Sequence, residues 1–361
     1  MKITQVSVFK ENLDLLTPYS IAYETIEFAE NILLVIFLEN NTYGIGTASP
    51  ASFVTGETTE DCLKILKNQV EPLLLGEDTR NFKFILRTAH SLLQKFPAAL
   101  AAVDIALHDL FSKTINWPLY KFLGNITPTQ IPTSVTIGIT NTQESIDLAK
   151  YWVKKGFRIL KVKTGISLEE DFEKLKKIRE EVGREILIRI DGNEGYSLSD
   201  IPTISQIIDE LPLELLEQPF ARNSSHHNRL FSKDIISIIA ADEELHNVDD
   251  ALKLISSPYL DFGIFNIKLM KCGGIDQASK IGHLALAKNL KLMWGCNDES
   301  RISIMAALHV AHAFKNTRYL DLDGHLDLGL DFVEEEIAIK DGCLTMNNNP
   351  GLGFKLLKKY T

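Results

Sequence analysis

The chain has 361 residues, 45% of them hydrophobic and 24% charged, enough to bury a large core and to divide into two domains or a barrel with an added piece. A net charge of −10 argues against nucleic acid or an anionic membrane as the main partner. No apolar run approaches a membrane span, the start lacks a signal-peptide pattern, and Cys62, Cys272, Cys296 and Cys343 form no CxxC pair, so a reduced, cytoplasmic protein is expected.

In chain order, residues 1–10 and 31–38 alternate or run apolar as strands of an antiparallel sheet, and Asn40-Asn41 followed by Tyr43-Gly44-Ile45-Gly46 marks a turn and a further strand. Helical periodicity follows at 57–70, 81–92 and 97–113, the last rich in alanine. From about residue 130 strands and helices alternate. The expected strands are 132–139, 158–163, 186–191, 213–217, 235–242, 262–268, 291–296 and 318–321, with helices at 142–155, 169–182, 198–210, 246–256, 274–289 and 300–315. Eight apolar strands separated by helices predict an α/β fold with a parallel barrel, and the lack of a Gly-rich phosphate loop after the first strand weakens a doubly wound sheet. After residue 325 the alternation stops. The expected division is a capping segment at 1–125, a barrel at 126–325 and a tail at 326–361 that returns to the first part.

Polar residues interrupt these strands at their C-terminal ends: Lys161 and Lys163 on the second, then Asp191, Glu217, Asp242 and Lys268 on successive strands, and Asp321 and Asp323 on the eighth. The steps from Lys163 through Lys268 are 28, 26, 25 and 26 residues, one strand–helix unit each, which puts these side chains at one level around the mouth where barrel active sites sit. One acid at such a place could simply cap a helix. Three in succession, without His or Cys, suit a hard cation, and Mg²⁺ leaves room for water and substrate. Lys163 and Lys268 would then face each other across the metal, one base for each face of a bound carbon. Abstraction needs a neutral lysine, and Lys161 and the metal would push Lys163 downward. Asp321 and Asp323 share a strand face and could clamp a substrate ammonium. His309 and His312 share a helix face with no third ligand evident, and Cys296 has no His partner nearby in sequence.

Lys161-x-Lys163, Asp191-Gly192-Asn193, Glu217-Gln218-Pro219, Asp242-Glu243 and Lys268 with Gly273-Gly274 resemble the muconate-lactonising-enzyme subgroup of the enolase superfamily. Asp321-x-Asp323 makes the chain similar to the dipeptide epimerases of that subgroup. The resemblance implies a (β/α)7β modified TIM barrel under an α+β capping domain built from the N-terminal segment and the tail. It implies one Mg²⁺ per subunit on Asp191, Glu217 and Asp242, an enediolate stabilised by that ion and Lys161, and acid/base catalysis by Lys163 and Lys268. Asp321 and Asp323 would bind the dipeptide's amino group, and Thr136, Cys296 and Asp298 would line the substrate site. Family members commonly form homo-oligomers. Gly192 and Glu244 depart from the usual Ala and Ser.

Ala-Glu epimerases carry an arginine near residue 24, whereas the stretch Leu16–Phe28 here has acids and apolar groups but no Lys or Arg. The expected substrate is therefore a dipeptide with a small or apolar C-terminal residue, such as Ala-Ala or Ala-Val. A loop at 51–57 is expected to close over the site. The alternatives are an o-succinylbenzoate synthase or muconate cycloisomerase, whose substrates have no ammonium to bind, and a non-catalytic barrel that only binds.

Overall fold

The computed structural model describes residues 1–20, 25–124 and 130–361. Strands β1 (Ile3–Ser20) and β2 (Thr25–Leu38) form a long antiparallel hairpin, and β3 (Tyr43–Ala48) pairs with β2. The stretch 16–28 is thus largely strand, with Tyr19 opposite Ile26 and Ser20 opposite Thr25, while Glu24 lies outside the described residues. Its sequence hides this because the ladder needs only backbone groups, and an outlying ribbon need not alternate. Leu16 there is 67% exposed.

The helix Pro97–Thr114 is buried along almost its whole length and lies directly on β3. Gly44 and Gly46 permit this, since a Cβ at either would strike the helix carbonyls of Ala106 and Ala102. Asp109 of the same helix accepts from Ile45 N at 3.0 Å and Leu352 N at 2.8 Å, so one buried carboxylate ties sheet, helix and C-terminal segment together. The C-terminal segment makes further contacts with the first part: Leu356 N donates to Tyr43 Oη at 3.3 Å, and the Tyr360 ring packs 5.2 Å from Phe9.

Strands β4 (Val135–Ile137), β5 (Ile159–Lys163), β6 (Leu187–Asp191), β7 (Leu215–Glu217), β8 (Ile239–Ala241), β9 (Ile264–Lys268), β10 (Lys291–Gly295) and β11 (Thr317–Leu320) form one parallel sheet in sequence order. A parallel bridge from Thr133 to Leu320 and a Ser134 N–H donated to Leu320 O bring the last strand against the start of the first. The fold is α/β, an eight-stranded curled parallel sheet with its helices outside.

The strand expected at 235–242 shortens to Ile239–Ala241, because Lys233–Ile236 forms a helical turn whose first residues are capped by Ser232. An apolar run of this length reads the same for a buried strand as for a buried helical turn. The helix expected at 57–70 begins at Thr59, capped by Thr58, and passes through a wider π-type turn at Leu66–Val70.

After β9 the chain makes a short turn, then runs through Gly273 and Gly274, with φ of +89° and +96°. Both abut the helix Pro97–Thr114, where a Cβ would meet Leu100 or Asp104. Asp104 accepts from Ile275 N at 2.6 Å and Asp276 N at 3.2 Å, capping the barrel helix Ile275–Ala287 from the other part of the molecule.

Candidate active site

The strand register sets the level of the site. Lys163 pairs with Asp191 and Asp191 with Glu217 across β5, β6 and β7, so their side chains leave the sheet side by side. Asp242 and Lys268 stand at the corresponding ends of β8 and β9.

Lys161 is buried at the centre. Its Nζ lies 3.0 Å from Asp191 Oδ2, 2.8 Å from Glu217 Oε2 and 2.9 Å from Asp321 Oδ2. Burial alone would discharge it, but these acids outweigh burial and hold its pKa well above the lysine value. Lys268 donates to Asp242 Oδ2 at 2.8 Å and is likewise raised, since the adjacent carboxylate overcomes the burial that lowers it. Lys163 is more open and donates to Asn193 Oδ1 at 3.1 Å, with Asp191 Oδ2 4.0 Å away. Asn193 also donates to Glu243 at 3.3 Å, and burial followed by the charge of Asp242 pushes the Glu243 carboxyl up to about 7.

Three groups here escaped sequence analysis. Lys271 is buried and donates to the carbonyl of Asp242 at 2.6 Å and to its Oδ1, so two lysines grip that carboxylate. Its three-residue spacing from Lys268 is that of an ordinary helical face. Asn266 donates to Glu217 Oε1 at 2.8 Å, and Arg189 lies beneath Asp191 in the sheet interior. Each stands two residues before a site residue on its own strand. That spacing was the available signal. Gln218, in a left-handed conformation at φ +32°, accepts from Asp242 N and Glu244 N and so braces the loop after β8.

At the end of β11, Asp321 accepts from Ser134 Oγ at 2.6 Å as well as from Lys161. Burial would raise its pKa, but Lys161 draws it below the usual carboxylate value. Asp323 accepts from Thr136 N at 2.6 Å and is pushed up to about 7, first by burial and then by the charge of Asp321. Thr136 therefore meets this pair through both its backbone N–H and its side chain. The Cys296 thiol donates to Asp321 O at 3.2 Å, and burial and then Asp323 push its pKa far up, which disfavours a thiolate. The Asp298 carbonyl accepts from Ser49 Oγ at 2.9 Å and Asn31 Nδ2 at 3.4 Å, so the first part of the chain grips this loop. Nearby Asp327 is raised by burial and by Asp298.

The loop 51–57 has Phe53 at its tip, 80% exposed, and Glu57 at its base, whose carboxylate accepts from Ala98 N at 2.5 Å. His309 accepts from Tyr120 N at 2.9 Å and is a packing residue.

Among the described residues no three Asp, Glu, His or Cys side chains are gathered as they stand into a metal-holding group. The Lys161 ammonium lies between Asp191 and Glu217, and Lys268 and Lys271 hold Asp242. The donor chemistry nonetheless suits a hard cation. All three acids are buried, and Glu217 is pushed up to about 8 by burial and then by the charge of Asp191, so a cation beside it would relieve both. No helix among the described residues is long and apolar enough to cross a membrane.

Residues 3–124 match the family described as mandelate racemase / muconate lactonizing enzyme, N-terminal domain, and residues 144–360 match the enolase C-terminal domain-like family. The chain is 41% identical to the L-Lys-D/L-Arg epimerase of Desulforapulum autotrophicum, over 98% of this chain and 99% of that one. A crystal structure of the dipeptide epimerase from Methylococcus capsulatus, complexed with Mg and L-Arg-D-Lys, superposes with a TM-score of 0.94 at 42% identity, covering 98% and 99%. That from Enterococcus faecalis, complexed with Mg and L-Leu-L-Tyr, gives 0.90 at 34%, covering 98% and 99%.

Proposed function

Since this chain belongs to the mandelate racemase / muconate lactonizing enzyme family and its named relatives are epimerases and racemases, we propose that it is an isomerase that inverts the α-carbon of a dipeptide's C-terminal residue. The observation that carries this reading is the pair of lysines at the ends of β5 and β9, with the three acids of the intervening strands between them and Asp321 and Asp323 along the rim.

Asp191, Glu217 and Asp242 would hold Mg²⁺, which when bound neutralises the substrate carboxylate and acidifies the α-proton. Lys163 and Lys268 act from opposite faces: one takes the α-proton and the other delivers a proton to the far side. Lys161 keeps its ammonium charge and stabilises the enediolate oxygens. Asp321 and Asp323 receive the free amino group, and Thr136, Cys296 and Asp298 line the site around it.

The sequence argument for a small or apolar C-terminal residue rested on the absence of Lys and Arg from Leu16–Phe28. That stretch also carries Glu24 and Glu27, and acids in a stretch without Lys or Arg attract a cation more strongly than they favour an alkyl group. The names of the relatives that are 41–42% identical point the same way, so a dipeptide of Lys or Arg is the first reading and a hydrophobic one such as Ala-Val the second.

The test is incubation with Mg²⁺ and a panel of L,L-dipeptides in D₂O, with loss of the C-terminal α-proton followed by NMR. Exchange is expected first for Lys- and Arg-containing members and should stop on chelation with EDTA. Turnover of a succinylbenzoate precursor without exchange of any dipeptide would overturn the reading in favour of a synthase or cycloisomerase. Metal and ligand binding with no turnover of either would leave a binding barrel.

A further inference from the structure

Beneath the rim, Asp321 is joined to a cation that none of the proposed chemistry uses. Arg189 is 1% exposed and points inward from β6. Its Nη1 donates to Ser134 Oγ at 3.0 Å and to Leu320 O at 2.6 Å, its Nε donates to Glu214 Oε2 at 2.7 Å, and its guanidinium lies 5.3 Å from the Tyr319 ring centre. Ser134, fully buried, passes the interaction on by donating its hydroxyl to Asp321 Oδ1 at 2.6 Å. The other oxygen of Asp321 accepts from Lys161.

A buried guanidinium is costly unless each donor is used, and a plain apolar residue would fill this layer of the barrel at lower cost. Its placement has one consequence at the site. The Ser134 hydroxyl accepts from Arg189, and of the two acceptors within reach of its proton, Asp321 Oδ1 at 2.6 Å is charged and closer than Leu320 O at 3.3 Å. The carboxylate is thereby fixed by one hydrogen bond to each oxygen, from Ser134 to Oδ1 and from Lys161 to Oδ2.

We propose that Ser134 and Arg189 are positioning residues for recognition of the substrate's ammonium group, holding the Asp321 carboxylate in the orientation that receives it. This rests on the reading of Asp321 and Asp323 as the ammonium partners. Neither Ser134 nor Arg189 touches the substrate, so their effect falls on binding of the amine rather than on proton transfer.

The test compares L-Arg-L-Lys with the analogue whose N-terminal α-amino group is replaced by hydrogen, in the Mg²⁺-loaded wild-type protein and in Ser134→Ala. In the wild type kcat/KM should favour the dipeptide. In S134A that preference should fall about tenfold, through KM, while kcat changes little, as for loss of one charge-assisted bond. Mg²⁺ affinity by calorimetry should stay within about twofold, showing that the fold and acidic trio are intact. Equal losses for both substrates, or an unchanged preference, would overturn the positioning role while leaving the ammonium reading standing. A wild-type protein indifferent to the amino group would overturn the ammonium reading itself, and the proposal with it.

Discussion

The two sides of the barrel mouth are built to different tolerances. On the β5 side Lys163 is half-buried, donates to the neutral amide of Asn193 and has its nearest carboxylate, Asp191, 4.0 Å away. On the β9 side Lys268 is paired with Asp242, whose other oxygen is gripped by buried Lys271, and the turn that follows is wedged by Gly273 and Gly274 against the helix Pro97–Thr114. One lysine is lightly held, whereas the other is paired with a carboxylate backed by a packing contact between the two parts of the chain. A two-base enzyme needs a base on each face, but the faces need not be equally rigid.

Removing either lysine is the most severe test. Lys163→Ala and Lys268→Ala should each lower epimerisation by about three orders of magnitude, measured by NMR in D₂O. Each variant should still exchange the α-proton of one stereoisomer only, and opposite stereoisomers for the two variants would assign a face to each lysine. Full epimerisation by either variant would break the comparison.

The rim between the two sides offers a pH test. Asp323, raised to about 7, is ionised above that value and neutral below it. Its attraction for an ammonium group should therefore fade as pH drops, with KM for a dipeptide rising about tenfold per unit below 7. Asp323→Asn should have a high KM and a flat profile in this range. A wild-type KM that is flat from pH 8 to 6 would remove Asp323 from amine binding.

Gly274→Ala probes the rigid side from behind. The residue has φ of +96° and its Cβ would strike Asp104, so a loss of about 1–3 kcal/mol in chemical denaturation is expected. The Lys268-dependent exchange should slow more than the Lys163-dependent one. Equal slowing would show that the wedge does not reach Lys268.

The smallest effect belongs to Glu57, whose carboxylate accepts from Ala98 N at the start of the helix Pro97–Thr114. Its pKa is raised from 4.5 to about 7 by burial, against the pull of the Ala98 and Ala99 amides. A raised folded-state value means its stabilising contribution is full below about 4.5 and is lost as pH rises through about 7. Glu57→Gln should flatten the fall of Tm across that window in a thermal melt.

Much of the site was legible because buried parallel strands tolerate polar side chains chiefly at their ends. Asp191, Glu217, Asp242 and Lys268 stood out against apolar runs, and their even spacing is the length of a strand–helix unit. Lys271 and Ser134 did not stand out, because their partners lie on other segments and nothing local distinguishes them from surface or strand-filling residues, and Asn266 carried only its two-residue spacing from Lys268. The Lys233–Ile236 turn was hidden for a related reason: burial selects the same apolar residues whatever the backbone does.

By itself the sequence determined the alternation of strands and helices, the level of the charged groups and their order around the mouth, since these follow from local periodicity and chain length. Only the tertiary structure decided which lysine is locked and which is loose, that Arg189 reaches Asp321 through Ser134, and that the Asp298 loop is held by Asn31 and Ser49. Those outcomes depend on which buried donor meets which acceptor when distant segments pack, and sequence spacing carries no record of that pairing.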